Sequence, residues 1–469
     1  MRLIPVYTWT KSFRNFKVRR DALHHRPWFQ GVLLMLFVLI AMILANVPAF
    51  SSFYHAFLST ELTIHLESPD SFVNVFFPRG MTMQKFINDI LMVLFFFTVG
   101  LEIKREVRTG ELSSFKKAIL PVIAAFGGVL VPALIYTLVN HGTLSASGWG
   151  IPTATDIAFA ICILSVLGKK VPLSLKVFLT ALAVADDLIA ILVVAFFYGG
   201  HINLPLLAVA LLVVALTFFF RRINIQSIQV YIIATIVVWI LFYYAGIHAT
   251  MAGVVMSFII PVKPRYNRAY FYHKMNKYWK RIERYDEIQD EEAFPNGPQK
   301  HCLRRMEQVS NNSMDMSYRI EHALSNWVNF FILPLFALAN AGVTIPDLSY
   351  LNVFQYDSVL GGVGMGVFFG LVLGKPLGIT LFSFAAVKTR IAKMPEGADW
   401  AMLFAVACMG GIGFTMSLFV DSLSFRGIDP DITQHLRDAG KIAVLLGSVC
   451  SALLGSVIVN ALSRRSLKK

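Results

Sequence analysis

Asp186 and Asp187 stand side by side inside ALAVADDLIAILVVAFF (181–197), an apolar run long enough to cross a membrane and without a neighbouring Lys or Arg. One carboxylate at the centre of an inserted helix costs about 2.5–3.5 kcal/mol. Two in succession need a compensating environment. Acids at membrane depth line water-filled cavities and handle cations or protons, so an ion pathway is the first reading of this segment.

Composition agrees with a membrane protein. Of 469 residues, 56% are hydrophobic and only 15% charged, which leaves too little charge to cover a soluble surface. The cysteines Cys162, Cys302, Cys408 and Cys450 lie far apart, in neither a disulfide framework nor a metal-ligand spacing. The net charge of +14 could suggest nucleic acid. Its Lys and Arg residues cluster in short connections between apolar runs, however, as in cytoplasmic loops of a polytopic protein, and this argues against a nucleic-acid partner.

Runs of about 20 apolar residues give about twelve candidate spans, centred near residues 40, 93, 126, 159, 186, 211, 235, 253, 332, 369, 410 and 448. Basic residues alternate from one connection to the next. Arg19, Arg20 and Arg26 precede the first span, whereas 51–83 holds Arg79 against Glu61, Glu67 and Asp70. Lys104, Arg105, Arg108, Lys116 and Lys117 mark the next connection, and 139–149 has no Lys or Arg. The same alternation continues to Arg464, Arg465, Lys468 and Lys469, so the positive-inside rule puts both termini in the cytoplasm. The reading divides the chain into a cytoplasmic tail (1–28), helices I–VIII (29–262), a cytoplasmic insertion (263–321), helices IX–XII (322–462) and a short tail (463–469). Its first apolar run is long and keeps the alternation in register, so it is a retained span rather than a signal peptide.

Two segments outside the spans stand out. ELTIHLES alternates polar and apolar residues, SPDS offers a turn and FVNVFF resumes a strand-like run, which predicts an outward β-hairpin at about 60–77. A lone hairpin is marginal in water, and a copy from a second protomer is its simplest partner. The insertion contains KYWKRIERYDEIQDEE, dense in charge and either helical or disordered.

Other ionisable groups fall inside the runs: Asp89 in INDILMVLFFF, Asp156 in IPTATDIAFA and Lys375 in GLVLGKPLGIT. Neighbouring helical residues point about 100° apart, so Asp186 and Asp187 cannot face the same way. Pairing Lys375 with one of the nearby acids lowers the cost of both and still leaves an acid over. Asp89 fits either a core polar network or a functional role. Helix breaks lie close by, at Pro152, Thr153 and Thr155 before Asp156, and at Gly410, Gly411 and Gly413. Unwound backbone at membrane depth is tolerated inside protein or beside a cavity. There Asp156 could offset positive helix N-termini and Lys375 negative C-termini.

In chain order, INDILMVLFFFTVGLEIKRE, TATDIAFA, ALAVADDLIAI, GIHATMAGVV, LPLFALANAGV, GLVLGKPLGI and GGIGFTMSLFV resemble the signature segments of bacterial NhaA-type sodium/proton antiporters. The resemblance covers roughly 29–262 and 321–462. It implies an all-α polytopic protein of the bacterial inner membrane, with twelve helices, inverted repeats III–V and X–XII, and broken helices IV and XI crossing near the ion site. By the same resemblance Asp186 and Asp187 bind Na⁺ and exchange protons, Asp156 and Lys375 form a charge-compensating pair, Thr155 supports the site, and Asp89 supports it near the cytoplasmic funnel. Glu102, Arg105, Glu106, His248, Glu321 and His322 would form a pH-response network, and the hairpin would join a homodimer. No cofactor is implied. Na⁺, Li⁺ and H⁺ are substrates, and no enzymatic activity is expected. Two features depart from the family pattern: the long connection 262–322, and Ser325 where some members carry a histidine.

Competition for the same oxygens would couple the ions, since a partly desolvated carboxylate near neutral pH can hold a proton or a cation, and Na⁺, a hard ion, suits oxygen donors. Other classes fit these residues less well. A cation-coupled symporter of a small organic solute could share the broken-helix plan but calls for further polar and aromatic groups that are not concentrated here. A channel could use acidic rings. An intramembrane aspartyl protease needs its two acids on separate helices. GLVLGKP lacks the Walker spacing.

Overall fold

The structure is a computed structural model and describes residues 27–62, 65–68, 71–74, 81–200, 202–223, 225–288, 295, 297–345 and 352–466. The tail 1–26 and the last residues 467–469 lie outside the described residues. In chain order the elements are α1 (Pro27–Asn46), α2 (Pro48–Ser59), β1 (His65–Ser68), β2 (Ser71–Asn74), α3 (Met83–Arg108) and α4 (Phe115–Val139). A 3₁₀ segment, Leu144–Thr153, leads into α5 (Ile157–Leu167), followed by α6 (Leu173–Phe197), α7 (Leu204–Arg222), α8 (Ile228–Ala245) and α9 (Thr250–Ile259). Then come α10 (Arg268–Ile288), α11 (Gly297–Ser313), α12 (Met316–Asn340) and α13 (Val363–Lys388). The chain closes with α14 (Trp400–Gly410), α15 (Phe414–Leu423) and α16 (Pro430–Ser466).

Among the described residues nine helices are long and apolar enough to cross a membrane, and two bent pairs bring the number to eleven. The bends are 42° between Leu144–Thr153 and α5, and 46° between α14 and α15. They fall at the breaks read from Pro152 and from Gly410, Gly411 and Gly413. The position expected near residue 253 is filled by α9, of only ten residues. Pro261 follows its C-cap, Ile260, whose extended ψ of 132° is what a residue before proline adopts. At β1 and β2, His65 pairs with Asn74 and Ser68 with Ser71 in antiparallel register. The insertion is helical in its described part, as α10 and α11. Residues 51–59, read as connection, belong instead to α2, which starts on Pro48 at a favourable first-turn position.

Two compact units divide the chain. The first gathers the described residues of Met1–Leu91, Arg105–Tyr198 and Asn329–Lys469. In it α4 and α13 cross closely: a Cβ on Gly378 would lie 2.1 Å from the Gly127 carbonyl oxygen, so glycine is needed there. A π-turn, Gly370–Gly374, immediately precedes Lys375, and π-turns gather at functional positions. The second unit, Met92–Lys104 and Gly199–Val328, packs Phe97, Leu101, Tyr231, Phe242, Met256 and Ile320 into an apolar core. Leu212 on α7 and Ile233 on α8 are exposed, as lipid-facing side chains are. Lys104 donates to the carbonyls of Ser257 (3.0 Å) and Phe258 (2.9 Å), a cation placed on the C-terminal end of α9.

Candidate ion site

The site is built within the first unit, where α6 meets the two helix breaks. Asp186 and Asp187 are both buried on α6, at 1% and 2% exposure, so neither is dissolved in open water. Thr155 sits in the extended stretch between the 3₁₀ segment and α5. Its hydroxyl lies 2.6 Å from Asp186 Oδ2 and 2.8 Å from the Gly410 carbonyl, and it accepts from Lys375 Nζ at 2.6 Å. Lys375, fully buried, also donates to Asp186 Oδ2, which makes an ion pair. Asp187 is a second negative charge within electrostatic reach of the same ammonium. Three elements with unrelated sequence positions thus converge on one carboxylate.

Asp156 is held differently. It caps α5, accepting from the Phe159 N–H at 3.1 Å through Oδ1, and reaches across to α15, accepting from the Thr415 N–H (3.0 Å) and hydroxyl (2.5 Å) through Oδ2. Its own N–H donates to the Ile412 carbonyl at 2.7 Å. One carboxylate therefore faces the positive N-terminal ends of two half-helices. The hydrogen bonds of Lys375 go to Asp186 and Thr155, whereas Asp156 takes its own from the ends of α5 and α15. Each group is compensated, but not by the other.

Asp89 is carried by α3. It lies in a π-turn, Ile87–Leu91, and its charged neighbours are Arg426 and Lys85. Lys85 lies toward the basic-poor connection 51–83. Asp89 precedes the stretch of α3, Met92–Lys104, that belongs to the second unit. Its neighbour Asn88 exchanges two hydrogen bonds with Asn340, at 3.0 and 2.8 Å, a buried amide pair that the sequence reading missed. Thr415 was missed as well. Its signal was available, as a hydroxyl residue opening a half-helix just after the Gly-rich break.

The residues assigned to pH response fall in both units. Arg105 pairs with Glu106 at 3.5 Å, and Glu106 accepts from the Glu111 N–H at 3.1 Å, both in the first unit. Glu102, His248, Glu321 and His322 belong to the second. There His248 Nδ1 lies 2.7 Å from the Thr250 hydroxyl, and His322 stacks on Tyr318 with ring centroids 5.8 Å apart.

The model of the family described as Na⁺/H⁺ antiporter 1 matches residues 21–459. The chain belongs to that family. Similar proteins include the Na⁺/H⁺ antiporter NhaA of Porphyromonas gingivalis, 39% identical over 95% of this chain and 96% of the relative. That of Helicobacter pylori is 41% identical over 94% and 95%, and that of Sulfurimonas denitrificans 38% over 96% of each. Membership makes this antiporter-family chain a transporter and not an enzyme, and its multi-pass apolar helices are the expected vehicle. Among its described residues no three His, Cys, Asp or Glu side chains gather as metal ligands. The oxygens at the site are carboxylate, hydroxyl and carbonyl, a set suited to a hard cation.

Proposed function

We propose that this antiporter exchanges cytoplasmic Na⁺, and Li⁺, for external H⁺ by alternating access, with Asp186 and Asp187 as the exchanging carboxylates. The observation that carries the proposal is the buried arrangement of Lys375 and Thr155 on Asp186 with Asp187 adjacent. A single ammonium stands against two carboxylates, so bringing in a cation requires Lys375 to yield Asp186 or to give up a proton. From a proton-loaded site, in which Asp187 carries a proton, two protons then leave for each Na⁺ bound: one from Asp187, and one from Lys375 or, once Lys375 has yielded it, from a protonated Asp186. Two protons in and one Na⁺ out moves one net positive charge inward per cycle, worth about 2.3 kcal/mol per 100 mV. An interior-negative membrane would drive sodium out on that basis.

Asp156 steadies the crossing of the two half-helices, and their breaks let the site open to one side and then the other. The loop charges support an inner-membrane orientation with cytoplasmic termini, twelve spans in all, α9 being the shortest. Arg105, Glu106 and the second unit's Glu102, His248, Glu321 and His322 are proposed to tune the response to pH, and β1–β2 to contribute to a homodimer by strand addition.

The test uses the full chain in liposomes with an imposed inward acidity. Added Na⁺ should dissipate it. Asp187→Asn should reduce the rate by about 100-fold or more, the loss expected when an exchanging group can no longer ionise. Wild-type liposomes that hold their acidity against Na⁺, or an Asn variant with full activity, would refute the assignment.

A further inference from the structure

α15 carries another buried acid that the ion site does not use. Asp421 lies six residues beyond Thr415, about 9 Å along the helix. It is completely buried, and neither oxygen accepts a hydrogen bond from the protein. The close approach of α16 makes room for it: a Cβ on Gly440 would lie 2.1 Å from Asp421 Oδ1.

Charged groups face it from α16. Lys441, Arg437 and Asp438 are within electrostatic reach, yet none of the cations closes an ion pair on Asp421. Lys441 pairs with Asp438 at 3.6 Å, and Arg437 donates to the Ser424 carbonyl at 3.2 Å while its Nε is buried without a protein acceptor. The other titratable groups facing Asp421 are Tyr136 of α4 and Tyr198 at the end of α6. Both hydroxyls are committed, donating at 2.9 Å to the carbonyls of Ser145 and Ser147.

A cavity lies one side chain away. The Cβ position of Gly440 is 3.5 Å from Val363, and Val363 also lines a cavity of about 410 Å³ with Asn352, Asp357 and His435. Asp357, on the connection before α13, accepts from the N–H groups of Leu360 and Val359, which hold its carboxyl below the usual carboxylate range, so the cavity keeps a negative wall. Asp156 and Asp186 each have donors in contact. Asp421 has two cations at a distance and no donor in contact, so its charge state follows the proton concentration that reaches it.

We infer that Asp421 is a proton-loading group of the pathway, taking a proton from the aqueous phase beside residues 140–147 and 424–429 and setting how exchange depends on the pH of that phase. By the loop charges this is the external side. The step is a simple transfer, hydronium giving its proton to the carboxylate and leaving water. The inference rests on the proposed exchange at Asp186 and Asp187.

The test sets the pH of each face of reconstituted, uniformly oriented full-length protein separately. If the wild type does not exchange, the antiport reading and this inference fall together. With wild-type exchange present, Asp421→Asn should shift the half-saturating proton concentration on the external face by about fivefold or more. The half-saturating Na⁺ concentration on the cytoplasmic face should stay within about twofold, since that face is read at a separate carboxylate pair. An external profile identical to wild type would overturn the inference and leave antiport standing. Lys441→Met keeps the acid but removes a neighbouring cation, and should move the external profile to lower proton concentration. Should the Asn variant fail to assemble, an unmoved profile in Lys441→Met overturns the inference on its own.

Discussion

Asp156 and Asp186 are buried carboxylates of one unit, each beside a helix break, and they are stabilised in opposite ways. Asp156 takes its hydrogen bonds from the ends of α5 and α15, donors that cannot leave without unwinding a helix. Asp186 is paired with the ammonium of Lys375, a side-chain partner that no helix backbone supplies. The first arrangement is architectural. The second is the one that the proposed exchange replaces with another cation.

The largest effect should come from removing the exchangeable partner. Lys375→Met strips Asp186 of its cation and should cost about 3–5 kcal/mol, as breaking a buried pair does. A thermal-unfolding midpoint in detergent equal to wild type would show that the pair is not the main compensation of Asp186. Asp156→Ala should cost less, about 1–3 kcal/mol, by leaving the N–H groups of Phe159 and Thr415 without their acceptor. Asp156→Asn should recover much of that, because an amide oxygen still caps a helix. If Ala and Asn behaved alike, Asp156 would not be acting through those helix ends. Smallest of the three, Thr415→Val removes one hydroxyl donor, should cost about 1 kcal/mol and should leave the Na⁺ dependence of transport in place. A large change in apparent Na⁺ affinity there would join Asp156 to the exchanging site and erase the contrast with Asp186.

Much of this was legible in the sequence because lipid allows few solutions. Apolar run lengths pointed to the long helices, the Pro and Gly breaks fell where α5 and the α14–α15 pair bend, and two adjacent acids in an apolar run marked the candidate site. Partner choice was harder to read, since it depends on which helices cross. Lys375 could have paired with several acids, and only the convergence of α6, α13 and the Thr155 stretch selects Asp186. Asp421 was passed over because MSLFVDSLSF reads as the end of a span, where an acid is unremarkable. Its burial comes from α16, whose Gly440 lets the helices touch and whose Arg437 and Lys441 supply charge from another part of the chain. The short α9 had a local cause in Pro261, whereas Asn88 and Asn340, 252 residues apart, gave no sign of pairing.

Competition between the two ions at the Asp186–Asp187 carboxylates is the central claim, and the apparent affinity for Na⁺ across a pH series in proteoliposomes tests it most directly. Shared oxygens predict that the half-saturating Na⁺ concentration rises as pH falls, approaching about tenfold per pH unit for each proton displaced. A half-saturating concentration that stays constant across the series would mean that protons and sodium occupy different places, and would contradict the account.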